Sequence, residues 1–311
     1  MLSRIFLILN LLAFSAQAEK PFLHVSFDVT RELFKEINSE FIKEYDSINK
    51  IRQSHGGSGK QTAAVLHGLP ADVVSLALPY HMDLLAEKGM VANNWRDLFP
   101  NNSAPLSTSI VFLVPKNNPK NIKDWNDLIR TNIKVITPNP KTSGGALWNY
   151  AAAWIYANKI HPNNLELAKD FMAKLYHNAP VLDSTARGSA VTFLKRNLGD
   201  VLITWESEAK FIIAKLDPNY EIIYPSISIK IDIPVATIIK NKKNYQNLAN
   251  QYIEFLFSSK GQEIIKKNYY YGYKDNAYVL NRALIKEETI NWPEFKKQHF
   301  SENGVFDQIY K

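Results

Sequence analysis

Four short segments hold the residues whose types and spacing could do chemistry, and that chemistry is anion binding. Ser143-Gly144-Gly145 follows an extended run over 133–137 and opens an alanine-rich stretch with helical character. His55-Gly-Gly-Ser58-Gly-Lys60 stands after a second extended run, Asp183-Ser-Thr-Ala186-Arg187-Gly188 after a third, and Asp28-Val-Thr30 after the first strand of the chain. A helix start leaves backbone N–H groups without intrahelical partners and carries roughly half a positive charge. Glycine at such a start lets the backbone approach a ligand with no Cβ in the way. One such turn by itself reads first as an ordinary N-cap, with Ser143 as the capping residue. Four of them, two in each half of the chain and all at the carboxyl ends of strands, predict one cleft into which positive helix ends converge.

Rival chemistries lack their residues. A nucleotide P-loop ending at Lys60 would need Gly at 54 and Ser or Thr at 61, where the chain has Ser54 and Gln61. The dinucleotide fingerprint fails at Thr62. No Gly-x-Ser-x-Gly elbow is present, and His24, His55, His67 and His81 show no zinc-ligand spacing. His55 reads as a turn or packing residue. Neither metal nor cofactor is expected. Trp205, in Thr-Trp-Glu-Ser-Glu, ends a strand at the cleft edge, and its indole N–H can donate but never accept. Trp148 and Trp154 share one helix and are expected in the core.

The elements that must position these residues alternate. An extended run over 22–27 leads to a helix over 31–45, a strand over 48–53 to a helix over 60–67, then a strand over 72–76. The second half repeats the pattern with strands over 133–137, 181–182 and 201–204 and helices over 145–157, 164–175 and 188–197. Two long β-rich runs, 107–114 and 231–239, are read as the crossings between halves. The expected fold class is α/β, two-lobed, each lobe a mostly parallel sheet flanked by helices, with the ligand between lobes. Residues 19–105 plus 232–311 are assigned to lobe 1 and 106–231 to lobe 2, the C-terminal helices packing on the first half.

Residues 1–18 read as a cleaved signal peptide, with Arg4, an apolar core over 5–14 and Ser15-Ala-Gln-Ala18 as the cleavage site. The 311 residues contain no cysteine, so the fold must be held by its core, and no lipid-anchoring cysteine stands at the cleavage site. A periplasmic location is therefore expected. The excess of 37 basic over 30 acidic residues is scattered, which suits small anions and gives no nucleic-acid stripe.

Longer motifs sharpen this. Ser26-Phe-Asp-Val-Thr-Arg-Glu-Leu33, Arg52-Gln-Ser-His-Gly-Gly-Ser-Gly-Lys-Gln61, Ala71-Asp-Val-Val74, Ile136-Thr-Pro-Asn-Pro-Lys-Thr-Ser-Gly-Gly-Ala146, Asp183-Ser-Thr-Ala-Arg-Gly-Ser189 and Gly304-Val-Phe-Asp-Gln-Ile309 resemble the periplasmic sulfate/thiosulfate-binding proteins. The resemblance spans the chain beyond the signal peptide. It implies a type II periplasmic-binding-protein fold and a solute receptor, not an enzyme, that hands sulfate or thiosulfate to the permease and ATPase of an ABC importer. A monomer is expected.

The resemblance also implies a site. Backbone N–H groups of Asp28, Ser58, Gly144, Gly145 and Ala186 would hold the dianion, joined by the Ser143 hydroxyl and the Trp205 indole. Lys60 and Arg187 would stand behind them without touching it. The chain departs from the family pattern at Val29 (commonly Pro), Leu147 (often Arg) and Thr185 (commonly Gly), and its Tyr-Tyr-Tyr-Gly-Tyr-Lys over 269–274 replaces an Arg/Pro segment. A carboxylate facing the anion would repel sulfate and accept from protonated phosphate, so the Asp28 side chain is expected to turn away and cap its own helix. Receptors for molybdate, tungstate or phosphate remain open on this fold, as does, further off, an exported phosphoester hydrolase.

Overall fold

Alternation along the strands decides what each sheet faces. In β1 (Phe22–Phe27) Leu23 and Val25 point to one cluster, with Val74, Leu76, Met82 and Trp95, while Phe22 points to the other. A computed structural model describes residues 21–45, 48–239, 245–275, 283–286 and 289–310 of the chain. The signal segment over 1–18 lies outside these residues.

β1 pairs in parallel with β2 (Ile51–Gly56) and with β3 (Val73–Ser75). The chain then leaves this sheet through β4 (Leu106–Pro115), a ten-residue strand buried along nearly its whole length. Its alternation serves both faces of the second sheet. Ile110, Phe112 and Val114 join the large core, and Val111 and Leu113 join a smaller one with Phe193 and Leu202. The second sheet adds β5 (Val135–Pro138), β6 (Leu182–Asp183), β7 (Val201–Trp205), β8 (Tyr220–Ile223) and β9 (Ile227–Ile233). β5 is parallel to β6 and β7, whereas β4 runs antiparallel to β7, β8 and β9.

The return run over 231–239 is not one strand. Pro234 has no N–H for a ladder, and it divides β9 from β10 (Val235–Thr237), which joins the first sheet antiparallel to β3. The first sheet thus has the order β10-β3-β1-β2. Two sheets, each flanked by helices, make the two lobes.

The C-terminal segment is divided as well, which corrects the expectation that it packs on the first half. Helices Gln246–Phe257 and Ser259–Lys267 do contact helix Arg31–Glu44, and the former also contacts β10. The chain then crosses a third time. β11 (Tyr271–Gly272) pairs with β4, and β12 (Ala283–Lys286) pairs in parallel with β9. Helices Trp292–Phe300 and Val305–Ile309 lie on the second lobe, where Tyr150 and Tyr176 meet Phe306 edge-on at 5.9 and 5.1 Å. The Tyr150 hydroxyl bonds His299 Nδ1 at 2.8 Å. Aromatic residues at 292, 295, 300 and 306 have their apolar complement there, and not on the first sheet.

Candidate functional site

Each of the four strand-to-helix turns exists. Helix Ser58–Leu66 starts after Gly57, two residues earlier than the periodicity suggested. Helix Gly144–Ile160 starts after Ser143, whose Oγ accepts from the Ala146 N–H at 3.3 Å. This helix is buried on all sides, as its alanine-rich, unpatterned sequence requires. Helix Ala186–Arg196 starts after Thr185, whose hydroxyl oxygen accepts from the Gly188 N–H at 3.0 Å. The family departure at Thr185 therefore supplies an N-cap. The turn Asp28–Thr30 is a short 3-10 segment leading into helix Arg31–Glu44.

The turns meet. A Cβ added at Gly145 would lie 3.4 Å from Ala186 Cβ, 3.6 Å from Ser143 Oγ and 3.6 Å from Trp205 Nε1. One added at Gly144 would lie 2.9 Å from Ser58 Cβ and 3.0 Å from Ala77 Cβ, both on the other lobe. At Gly57 it would lie 2.8 Å from the Thr142 carbonyl oxygen. Phe27, the residue before Asp28, packs edge-on against Trp205 with centroids 5.2 Å apart. The lobes are closed on one another, and Asp28, Ser58, Ser143, Gly144, Gly145, Ala186 and Trp205 share one place between them.

Trp205 is 2 % exposed, and its Nε1–H has no hydrogen-bond partner among the described residues. A buried donor left unpaired costs about 1–3 kcal/mol, so it marks where an acceptor belongs.

The Asp28 side chain corrects one expectation. It caps nothing on its own helix; its Oδ2 accepts from the Arg187 backbone N–H of the opposite lobe at 2.9 Å. The N-terminus of helix Ala186–Arg196 attracts the carboxylate more than its own short 3-10 turn does. The N–H of Arg187 is thereby used, and that of Ala186 remains for another acceptor.

Arg187 sends its guanidinium to two carboxylates. Nη2 donates to Glu32 Oε2 at 2.9 Å and to Glu208 Oε2 at 3.2 Å, with Nε 3.1 Å from Glu208 Oε1. Burial pushes the Glu208 carboxyl up to about 7 against the pull of Arg187. Lys60 is exposed on the first turn of its helix. Outside the closed centre, an open cavity of about 420 Å³ is lined by Arg31, Arg187 and Arg196 together with Asp28 and Asp183.

Several participants carried no signal that was read as functional. Trp148, expected only in the core, is buried, yet its Nε1–H donates to the Ala77 carbonyl across the lobes at 2.7 Å. The Ser58 Oγ accepts from the Ala77 N–H at 3.0 Å and bonds His81 Nδ1 at 2.9 Å. Glu32, one turn after Asp28, and Glu208, three residues after Trp205, could have been found by their distance from those two. His55 bonds the Ser26 hydroxyl at 2.7 Å, in keeping with a packing role. Among the described residues no group of three or more His, Cys, Asp or Glu could hold a metal, and no helix is long and apolar enough to cross a membrane.

Residues 26–271 match the model of a family described as bacterial extracellular solute-binding protein. The chain belongs to that family. It is 47% identical over 307 residues to the sulfate-binding protein of Escherichia coli, covering 93% of this chain and 92% of that one. It is 38% identical to the thiosulfate-binding protein of Pseudomonas aeruginosa, covering 95% and 94%. Among solved structures, the sulfate-binding protein SubI of Mycobacterium tuberculosis superposes with a TM-score of 0.81 at 24% identity, over 90% of this chain and 99% of that one. That likeness supports the two-lobed type II receptor fold for this family member.

Proposed function

We propose that this chain is a receptor for sulfate, with thiosulfate as a second cargo, and that it delivers the anion to an ABC importer. The observation that carries this reading is the unpaired Trp205 N–H, facing the starts of helices Gly144–Ile160 and Ala186–Arg196. The backbone N–H groups of Asp28, Ser58, Gly144, Gly145 and Ala186, the Ser143 hydroxyl and the Trp205 indole hold the dianion. Every one is a neutral donor. Sulfate carries no proton near neutral pH and accepts from all of them. Monohydrogen phosphate brings an O–H that needs an acceptor, and the Asp28 carboxylate is directed at the Arg187 N–H of the opposite lobe. A donor buried without a partner costs phosphate about 1–3 kcal/mol, a selectivity of about tenfold to a few hundredfold.

Charge is spread over helix dipoles, so no lysine or arginine needs to touch the anion. Arg187 instead ties Glu32 and Glu208 together behind the site, and Lys60 stays in solvent. The names of the relatives at 47% and 38% identity favour a receptor over a hydrolase and sulfate or thiosulfate over molybdate, tungstate or phosphate. Residues 1–18 direct export, the periplasm is the place of work, and the receptor acts as a monomer. Calorimetric titration of the purified chain with sulfate, thiosulfate, molybdate and phosphate tests the reading. Sulfate should bind one to one and displace the others; silence with sulfate would overturn it.

A further inference from the structure

A second cavity, of about 310 Å³, has Ser143 and Gly144 of the proposed anion site in its wall. It is built from both lobes. Gly59 and His81 come from the first, Lys141 and Leu147 from the second, and Lys296 and Phe300 from the C-terminal helix that rests on the second. Among the described residues no carboxylate lines it. Lys141 pairs with Asp307, but Lys296 has no carboxylate partner among the described residues, and its Nζ rests 4.8 Å from the centre of the Tyr80 ring. Leu147 leaves this wall apolar.

His81 is 4 % exposed and lines the cavity. The Ala77 N–H already donates to the Ser58 Oγ, so the Ser58 hydroxyl proton is free to go to His81 Nδ1, which leaves the imidazole proton on Nε2. Nε2 has no partner among the described residues, and it lies 3.8 Å from where a Gly59 Cβ would stand, on the cavity side. Burial, aided by the charge of Lys296, pushes this imidazole down to about 3, so it is neutral and donates one hydrogen bond.

From this arrangement we infer a second site, for a small organic anion, a carboxylate or sulfonate with a short apolar tail. The anionic head lies between Lys296 and His81 Nε2–H, and the tail lies against Leu147 and Phe300. Because the walls belong to both lobes, the site is complete only when they are closed. An occupant therefore stabilises the closed form, and by linkage it tightens the binding of the anion held at the first site. This coupling rests on the proposed receptor function.

The test uses the full chain and ethanesulfonate or propionate as probes, with neutral propionamide and sodium chloride of equal ionic strength as controls. Sulfate is titrated alone and then at a fixed millimolar probe concentration. Sulfate binding without the probe tests the receptor reading separately. With either anion, sulfate affinity should rise about fivefold or more, the lower range of allosteric couplings, and neither control should raise it. Lys296→Gln should abolish the rise, and Lys296→Arg should retain most of it. No rise, an equal rise in Lys296→Gln, or a fall in sulfate affinity through competition at the first site would each overturn the inference.

Discussion

The Asp28 carboxylate reaches across the closed cleft and accepts the backbone N–H of Arg187 at 2.9 Å. This contact joins the first turn of one lobe to the first helical turn of the other, and it is made only when the lobes meet. A hydrogen bond to a charged acceptor contributes about 1.5–3 kcal/mol. Asp28→Ala should lower sulfate affinity about tenfold or more, with the loss appearing in a faster off-rate; Asp28→Asn, which keeps an acceptor, should lose less. Stopped-flow release of sulfate distinguishes the two, and equal rates in wild type and Asp28→Ala would remove the contact from the account.

Trp205 gives a cleaner separation of binding from folding. Trp205→Phe keeps a ring against Phe27 and deletes only the unpaired donor and part of the indole. Sulfate affinity should fall about tenfold, while stability without ligand changes by no more than about 1 kcal/mol. Calorimetry and urea unfolding read the two numbers, and undiminished sulfate affinity would leave Trp205 as a packing residue.

Ser143 serves two ends, so its removal should show twice. Ser143→Ala deletes the cap that accepts the Ala146 N–H, lowering stability by about 1 kcal/mol. It also deletes a proposed donor to the anion, costing a further 1.5–3 kcal/mol or so in binding. A stability loss with unchanged affinity would return Ser143 to a cap alone.

Gly144 tests closure itself. The Cβ of Gly144→Ala would fall 2.8 Å from Leu78 Cδ1 and 2.9 Å from Ser58 Cβ, with little room for either to move in a buried interface. The variant should fold, hold the lobes apart, and show in small-angle scattering a radius of gyration that sulfate no longer reduces.

Glu208 predicts a pH dependence with a definite sign. Burial raises its carboxyl in the folded state to about 7 from an ordinary value of 4.5. Between those values the folded chain holds the proton that the unfolded chain has released, so this group makes stability fall as pH rises from about 4.5 to about 7. His24 and His81, both pushed down to about 3, act oppositely below pH 6.5, so the comparison must be between variants. Unfolding of wild type and Glu208→Gln at pH 5 and pH 8 should show the variant gaining on wild type at the higher pH.

Strand–helix alternation and the four glycine- and hydroxyl-bearing turns were legible because both are local: period-two runs, cap residues and Gly steps are written within a few positions. The segments Ser143–Gly145 and Gly57–Lys60 named their helix starts almost to the residue. Relationships between distant segments were not legible. Nothing local to Asp28 says that its carboxylate prefers the turn at Arg187 to its own helix, because that choice depends on how far apart closure leaves two helix ends. Trp148 looked like core and is core, but its one polar atom found Ala77 only through the packing of the lobes. The place of the C-terminal helices is illegible for the same reason. Their aromatic faces fit any apolar surface in sequence terms, and only the third crossing through β11 carries them to Tyr150 and Tyr176.

The orphaned Trp205 N–H also bears on what the empty protein does. Shut without cargo, the cleft buries a donor that water can satisfy when the lobes part, a penalty of about 1–3 kcal/mol that cargo alone removes. The shut, vacant form is thereby made rarer by about five- to 150-fold, so closure becomes a report of occupancy. A transporter that docks on closed receptors would read that report without touching the anion, and vacant receptors would seldom stand in its way.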